Sequence, residues 1–414
     1  MDFLDTPQEA AFRAECRAWL EAHATPRERS AGTVLSILET GLDDPGELER
    51  ARAWQAMAAD EGWACVSWPR EYGGRGVGLT EQIIWGHEAS RFEIPDHVFR
   101  IGTMLGGPTI IVHGTPEQKA RWLPPLLRGE EIWCQLFSEP GAGSDLAALS
   151  TRAERDGDEW VVNGQKVWSS GAHYSKRGML LARTDPDVPK HKGITYFVLD
   201  MEAPGVEIRP LRQMTGGAHF NEVFLNDVRI PDADRVGDPE DGWRVSQTTL
   251  LSERGSLGEM LGELGMVEAL IALAREATAG GRPGADDPLV RQELARLFTE
   301  SAVLRYIGFR IVTAFSHGRL PGAEASVAKL AMAKLLSHAT ALGVRLGGPA
   351  ALSGPDPWRT AFLAAPSLHI AGGSDQIQRN IIGERVLGLP KEPSSDDRQI
   401  SFRELAARAA TART

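Results

Sequence analysis

Disulfides do not hold this chain together. Its three cysteines, Cys16, Cys65 and Cys134, are too few and too scattered for a cross-linked framework or a zinc site. No run of residues approaches the ~20 apolar positions that a membrane helix needs. The opening stretch MDFLDTPQEA carries acid where a signal peptide would be apolar. The net charge is −11, and no basic patch with interleaved aromatics stands out, which argues against nucleic-acid binding. There is no repeat period and no low-complexity tract. The G-x-G-x-x-G fingerprint is also absent, so a dinucleotide that binds here does not bind in the Rossmann manner. The expectation is a cytosolic protein with reduced thiols, no metal, and no membrane or nucleic-acid partner. Its 414 residues exceed what a single core holds, so two or three domains are expected.

What is present divides into three textures. The N-terminal part reads as helical. Thr6-Pro7-Gln8-Glu9 has the form of a capping box with proline at the first helical position. Phe12, Cys16, Trp19 and Leu20 then fall on one helical face. A second amphipathic helix is expected over GELERARAWQAMAADEGWACV, and a short one over TPEQKARWLPPLLRGEE, stopped by Pro124-Pro125. Near residue 130 the pattern changes to short alternating runs. Asp156-Gly157 and Asn163-Gly164 read as hairpin turns, and GMLLARTD, GITYFVLDM, GVEIRPL and NEVFLNDVRIP as strands. After Gly242-Trp243 long helical periodicity returns, interrupted by GGRPGADDP. The division is therefore an N-terminal helical domain over 1–128, a central β domain over 129–236 and a C-terminal helical bundle over 237–414.

Four stretches carry a more specific signal: FSEPGAGSD (137–145), VNGQKVWSSG (162–171), DVRIP (227–231) and GGSDQIQRNIIGERVLGLP (372–390). In this order and at this spacing they resemble the acyl-CoA dehydrogenase family, and the resemblance covers essentially the whole chain. It implies an α+β fold with an N-terminal helical domain, a central β-barrel domain and a C-terminal four-helix bundle. It also implies tightly bound FAD spanning a subunit interface of a homotetramer or homodimer, and electrons passed to an electron-transfer flavoprotein. By that resemblance Phe137 and Ser138 meet the flavin ring, Trp168 lies beside it, and Ser170 places its hydroxyl near the ring atom that receives hydride. Ser374 and Gln376 match further FAD contacts. Arg282 resembles an arginine that reaches the FAD pyrophosphate of a neighbouring subunit, and Gly347 and Gly348 match a glycine pair serving the same cofactor. The glutamine usual before that pair has no counterpart; Val344 is near its place. Ser144 and Arg254 match contacts to the CoA portion of an acyl-CoA substrate. Singly, each residue has a plainer reading: Trp168 as strand core, Ser138 and Ser170 as turn hydroxyls, Arg282 as a loop charge.

The chemistry so implied needs a carboxylate near the substrate Cα. In many family members it stands in the C-terminal loop, at the position held here by Gly372. A candidate lies elsewhere. In TTLLSERGSLGEML, read as a helix, Leu250, Leu257, Leu261 and Leu264 form an apolar stripe, and Glu253 falls on that stripe. A carboxylate on an apolar face is costly unless it is paired or functional. On pattern alone Glu253 could equally be a surface residue paired with Arg254. The resemblance favours the base, since the isovaleryl-CoA branch carries its carboxylate on this helix and none in the loop. Gly372 could still donate its backbone N–H to the thioester carbonyl. Two other readings stay open within the fold: a flavin oxidase, monooxygenase or desulfinase, and a non-catalytic partner subunit of a hetero-oligomeric dehydrogenase.

Overall fold

The computed structural model describes residues 5–27, 45–260, 265–279, 282–316, 324–353, 356–391 and 399–411. They divide into two compact units. One comprises Met1–Glu39, Gly76–Ile94 and Arg254–Lys391, the other Thr40–Arg75, Pro95–Glu253 and Glu392–Thr414.

Helix α1 (Pro7–His23) begins at the expected capping box. The Thr6 hydroxyl accepts from the Glu9 backbone N–H, and the Glu9 carboxylate accepts from that of Thr6. Strand β1 (Thr25–Pro26) follows, then α2 (Pro45–Asp60), α3 (Leu79–Ala89) and β2 (Phe92–Glu93), which pairs with β1. In the first unit α1 packs on α3, and the fully buried Glu88 carboxylate takes hydrogen bonds from Arg13, Arg17 and Arg91. In the second unit a π-helical turn (Ile101–Gly106) leads into α4 (Gly107–His113). Gly107 permits the close approach there, because a Cβ would come within 1.9 Å of the Trp68 ring.

Helix α5 spans Pro116–Leu127 and does not stop at the proline pair, contrary to the sequence expectation. Pro124 and Pro125 lack N–H groups, but they lie in the last turn, and Leu123, Leu126 and Leu127 on either side are buried in the core. Burial of that apolar face outweighs the two missing hydrogen bonds.

The β domain is one sheet. Its strands are β3 (Trp133–Leu136), β4 (Arg152–Asp156), β5 (Glu159–Lys166), β6 (Arg177–Arg183), β7 (Ile194–Asp200), β8 (Val206–Leu211), β9 (Phe220–Pro231) and β10 (Arg235–Val236), in the order β10-β7-β6-β4-β5-β9-β8, with β3 added in parallel beside β6. The hairpin expected at Asp156-Gly157 is there, joining β4 to β5. The one expected at Asn163-Gly164 is not. That dipeptide lies inside β5, where the register against β9 shifts between Val162 and Gly164. Gly164 is needed for another reason, since a Cβ would lie 2.4 Å from the Thr151 hydroxyl. The sheet curls around its own core: Trp160 of β5 meets Phe197 of β7 edge-on at 5.6 Å, although β4 and β6 lie between them in strand order. The opposite face of β6 and β7, through Met179, Leu181, Tyr196 and Val198, packs against Trp122, Trp133, Leu126 and Val245.

Helix α6 (Gly242–Met260) leaves the sheet. The bundle follows with α7 (Met266–Glu276), β11 (Thr278–Ala279), β12 (Arg282–Pro283), α8 (Pro288–Ser316), α9 (Glu324–Ser353), α10 (Pro357–Ala364) and α11 (Asp375–Arg385). Its core is Met266, Leu270, Leu297, Leu304, Met332, Leu335, Leu336, Leu342 and Trp358. Among the described residues, α9 alone is long and apolar enough to cross a membrane by length and composition, and 56% of its most apolar window is buried inside the protein. That apolarity serves the bundle core. A last helix, α12 (Phe402–Thr411), belongs to the unit that contains the sheet.

Candidate active site

The sequence-predicted residues fall in both units, and each group has its own geometry. In the sheet unit the motifs FSEPGAGSD and VNGQKVWSSG lie side by side. The Val167 N–H donates to the Ser138 carbonyl at 2.9 Å, and the Lys166 ammonium donates to the Phe137 carbonyl at 3.1 Å. Phe137 is buried edge-on against Tyr196. Trp168 is not strand core: it stands two residues beyond the end of β5, 62% exposed, at φ +62°. A bulky residue held in the left-handed region is strained, and strain of this kind gathers at functional sites. Here it presents an indole to solvent, braced at its edge by Phe220 at 5.8 Å.

Several buried polar atoms in and near these two motifs have no partner among the described residues. Ser138 and Ser170 are half-buried there. Gln135 Nε2, Ser169 Oγ and Asn221 Oδ1 are fully buried and unpartnered. Buried polar atoms are nearly always satisfied, so this set suits a ligand with hydrogen-bonding edges, and the exposed Trp168 indole suits a flat ring. A flavin ring has that form, and the residues present fit it. Gln135, Ser169 and Asn221 are not legible as site residues in the sequence; the signal lies in their burial.

Two further residues were missed despite standing inside the quoted motifs. Glu139 and Lys166 form a buried ion pair, Nζ to Oε1 at 2.8 Å. Glu139 also accepts from the backbone N–H of Ser150 (2.7 Å) and of Thr151 (2.9 Å) and from the Ser150 hydroxyl (2.9 Å). Burial works to raise the Glu139 carboxyl, but Lys166 and these donors outweigh it and hold it at about 2. Burial pushes the Lys166 ammonium down, and Glu139 opposes that. The signal was a lysine at an inward position of β5: Trp160, Val162 and Lys166 are buried while their odd-numbered neighbours are not.

Ser144 sits at the exposed tip of its loop. Gly141 and Gly143 flank it in open space, since a Cβ at either would meet nothing within 4 Å. Helix α6 buries Val245, Ser246 and Thr249. Thr249 joins a polar cluster with Thr109 (2.8 Å) and Tyr196 (3.5 Å), and Thr248 bonds the His113 ring at 2.7 Å. The backbone of α6 continues through positions 253 and 254. The side chains of Glu253 and Arg254 lie outside the described residues, as does that of Arg282, whose backbone pairs with Ala279.

In the bundle unit, Gly348 breaks α9 at φ +61°, just before Pro349, and Gly347 precedes it. Val344 packs partly buried against the bundle core. Gly372 and Gly373 have φ +64° and +91°, conformations that favour glycine. The buried Gln378 amide holds this turn, donating to the Gly372 carbonyl (2.9 Å) and the Gly373 carbonyl (3.2 Å). Ser374 caps α11 by accepting from the Ile377 N–H, and Gln376 is exposed. Beneath the turn, Asp375 bonds His369 at 2.8 Å, and His369 in turn bonds Ser337 at 2.8 Å. Lys329 stands 3.6 Å from Asp375. Among the described residues no group of three or more His, Cys, Asp or Glu could hold a metal.

Comparison with known proteins identifies the family and the fold. The chain matches the family profiles "Acyl-CoA dehydrogenase, N-terminal domain" over residues 6–130, "middle domain" over 134–228 and "C-terminal domain" over 240–387. It is 41% identical over 392 residues to the acyl-CoA dehydrogenase IpdE1 of Mycobacterium tuberculosis, covering 92% of this chain and 98% of that protein. Its fold is similar to the solved Tcur3481-Tcur3483 steroid ACAD, with a TM-score of 0.81, 29% identity, and coverage of 95% of this chain and 100% of that one. It is also similar to the ChsE4-ChsE5 complex from Mycobacterium tuberculosis, with a TM-score of 0.77 and 32% identity over 95% of this chain and 100% of that one. With all three family domains matched in order, the chain belongs to the acyl-CoA dehydrogenase family of flavoprotein oxidoreductases.

Proposed function

We propose that this enzyme carries out FAD-dependent α,β-dehydrogenation of an acyl-CoA thioester to the 2-enoyl-CoA, with Glu253 as the base. The observation that carries the reading is the exposed, strained indole of Trp168 beside Ser138, amid buried polar groups with no partner. When bound, FAD supplies the acceptor for the substrate's β-hydrogen, taken as hydride, and an electron-transfer flavoprotein then receives the electrons. Phe137, Ser138, Trp168 and Ser170 hold and orient the ring from the sheet unit. Arg282, Gly347, Gly348, Ser374 and Gln376 hold the rest of the cofactor from the bundle unit. Glu253 takes the α-proton. Gly372 offers its backbone N–H to the thioester oxygen, where negative charge grows as that proton leaves. The Gln378 bonds to Gly372 and Gly373 fix the turn that would aim this donor. Ser144 and Arg254 contact the CoA arm.

For the acyl group we propose a bulky, steroid-derived fragment, in keeping with the steroid ACAD among the similar structures. The same structures are two-component assemblies by name, which favours a second acyl-CoA dehydrogenase chain as partner over the homotetramer or homodimer expected above.

Purified with its assembly partner, the protein is expected to be yellow, with FAD bound across a subunit interface. The grounds are that Arg282 and the Gly347/Gly348 pair lie outside the unit that holds Ser138 and Trp168. Arg282→Ala is expected to lose FAD and oligomer stability together, read by flavin absorbance and native mass. A stable FAD-bound monomer contradicts it.

A further inference from the structure

Residues 401–403 lie beyond residue 387, where the last family profile ends, and they contact the sheet domain. Ser401 forms a bridge with Pro189, the Phe402 N–H donates to the Val188 carbonyl, and the Arg403 N–H donates to that of Pro186, both at 2.9 Å. Arg403 also pairs with Asp187 at 3.0 Å. The half-buried Phe402 ring then covers the guanidinium of Arg183 at 3.8 Å.

Arg183 is the hub. It is 3% exposed, at the end of β6. Its donors reach the carbonyls of Ala147 (2.6 Å), Leu149 (3.2 Å) and Lys190 (3.0 Å). The first two are in and just after the turn Leu146–Ala148, immediately beyond Ser144 and Asp145. Lys190 completes the clamp, its ammonium bonding Asp145 at 2.7 Å. The near side of the loop is closed by the mutual backbone bonds of Glu139 and Ala142. The exposed tip that carries Ser144 is therefore fixed at both ends, and its far end depends on Arg183. A guanidinium screened from water bonds carbonyls more strongly than a wetted one, and the aromatic face adds a cation–π attraction.

We propose that Phe402 and the C-terminal segment form a brace that positions the Ser144 loop through Arg183, and so tunes grip on the CoA arm of the substrate. This rests on the role proposed above for Ser144. Phe402 and Arg183 are positioning residues; neither touches the reacting atoms.

The test compares wild type, Phe402→Ala and Phe402→Tyr in the full-length holoenzyme, by amide hydrogen exchange over residues 141–149 and by steady-state kinetics with an acyl-CoA. For Phe402→Ala, exchange in that loop is expected to quicken about tenfold, the scale of a lost cation–π contact. KM is expected to rise several-fold with kcat within about twofold, the mark of weakened uniform binding, and FAD content is expected to hold. Phe402→Tyr is expected to restore both. The proposal is overturned if loop exchange is unchanged, if the loop loosens while KM stays at the wild-type value, or if FAD is lost and kcat falls with it. If no acyl-CoA reduces the wild-type flavin, it is the dehydrogenase reading that fails, and the exchange comparison alone decides the brace.

Discussion

Glu253→Ala is expected to retain FAD, fold and thioester binding, and to lower the rate constant of flavin reduction by about 10²–10⁴-fold, the usual cost of removing a positioned base. The loss is larger still if the closed site holds no water able to substitute. By the family resemblance, Gly372 holds the loop position of the usual carboxylate; Asp375, three residues on, is committed to His369. Helix α6 supplies the alternative. Its buried face includes Val245, Ser246 and Thr249, and Glu253 follows Thr249 by one turn of chain. The bonds from Thr109 and His113 to Thr249 and Thr248 fix the register of that helix a turn before the proposed base. Adding Gly372→Glu to Glu253→Ala should recover part of the rate if both positions face the same carbon. Recovery stays partial because a side chain at φ +64° is strained and has no neighbours built to orient it. Stopped-flow reduction separates the outcomes. A single variant that reduces its flavin at the wild-type rate makes Glu253 an ordinary helix residue.

The largest effect on stability is expected at the Glu139–Lys166 pair. Lys166→Met leaves a carboxylate buried without its counter-charge and should cost about 3–5 kcal/mol, a large share of a typical folding free energy. Denaturant unfolding measures it. The pair also sets an acid limit. The Glu139 carboxyl drops from an ordinary 4.5 to about 2 on folding. Its contribution is thus fully present above pH ~4.5 and lost as pH falls from there toward 2. In Glu139→Gln the slope of stability against pH across that window should flatten; an unchanged slope would place the acid sensitivity elsewhere. Because Lys166 also bonds the Phe137 carbonyl, Lys166→Met is expected to loosen the strand ends that carry Ser138 and Trp168.

What could be read in the sequence was local. The Thr6–Glu9 box and the Asp156-Gly157 turn are satisfied by neighbours within a few residues, so their chemistry is visible in the string. Asn163-Gly164 has the same turn chemistry, yet its conformation is decided by pairing with β9 some 60 residues away. Pro124-Pro125 should stop a helix, but the burial of Leu126 and Leu127 depends on a core assembled from distant segments. The site divides in the same way. Ser138, Trp168 and Gly372, whose roles are proposed, could be singled out because their motifs are contiguous. The orphaned Gln135 and Ser169, the Gln378 anchor and the Phe402–Arg183 contact were not, because each depends on burial or on a partner that only folding supplies.

An acyl-CoA thioester is expected to deliver hydride to a flavin held beside Trp168. Anaerobic titration of the yellow holoenzyme with a panel of acyl-CoA thioesters, including steroid-derived ones, tests it most directly. The predicted result is stoichiometric bleaching of the flavin by at least one thioester, with the matching free acid inert and the 2-enoyl-CoA recovered. A flavin that no thioester bleaches, or that free acids bleach equally well, contradicts it.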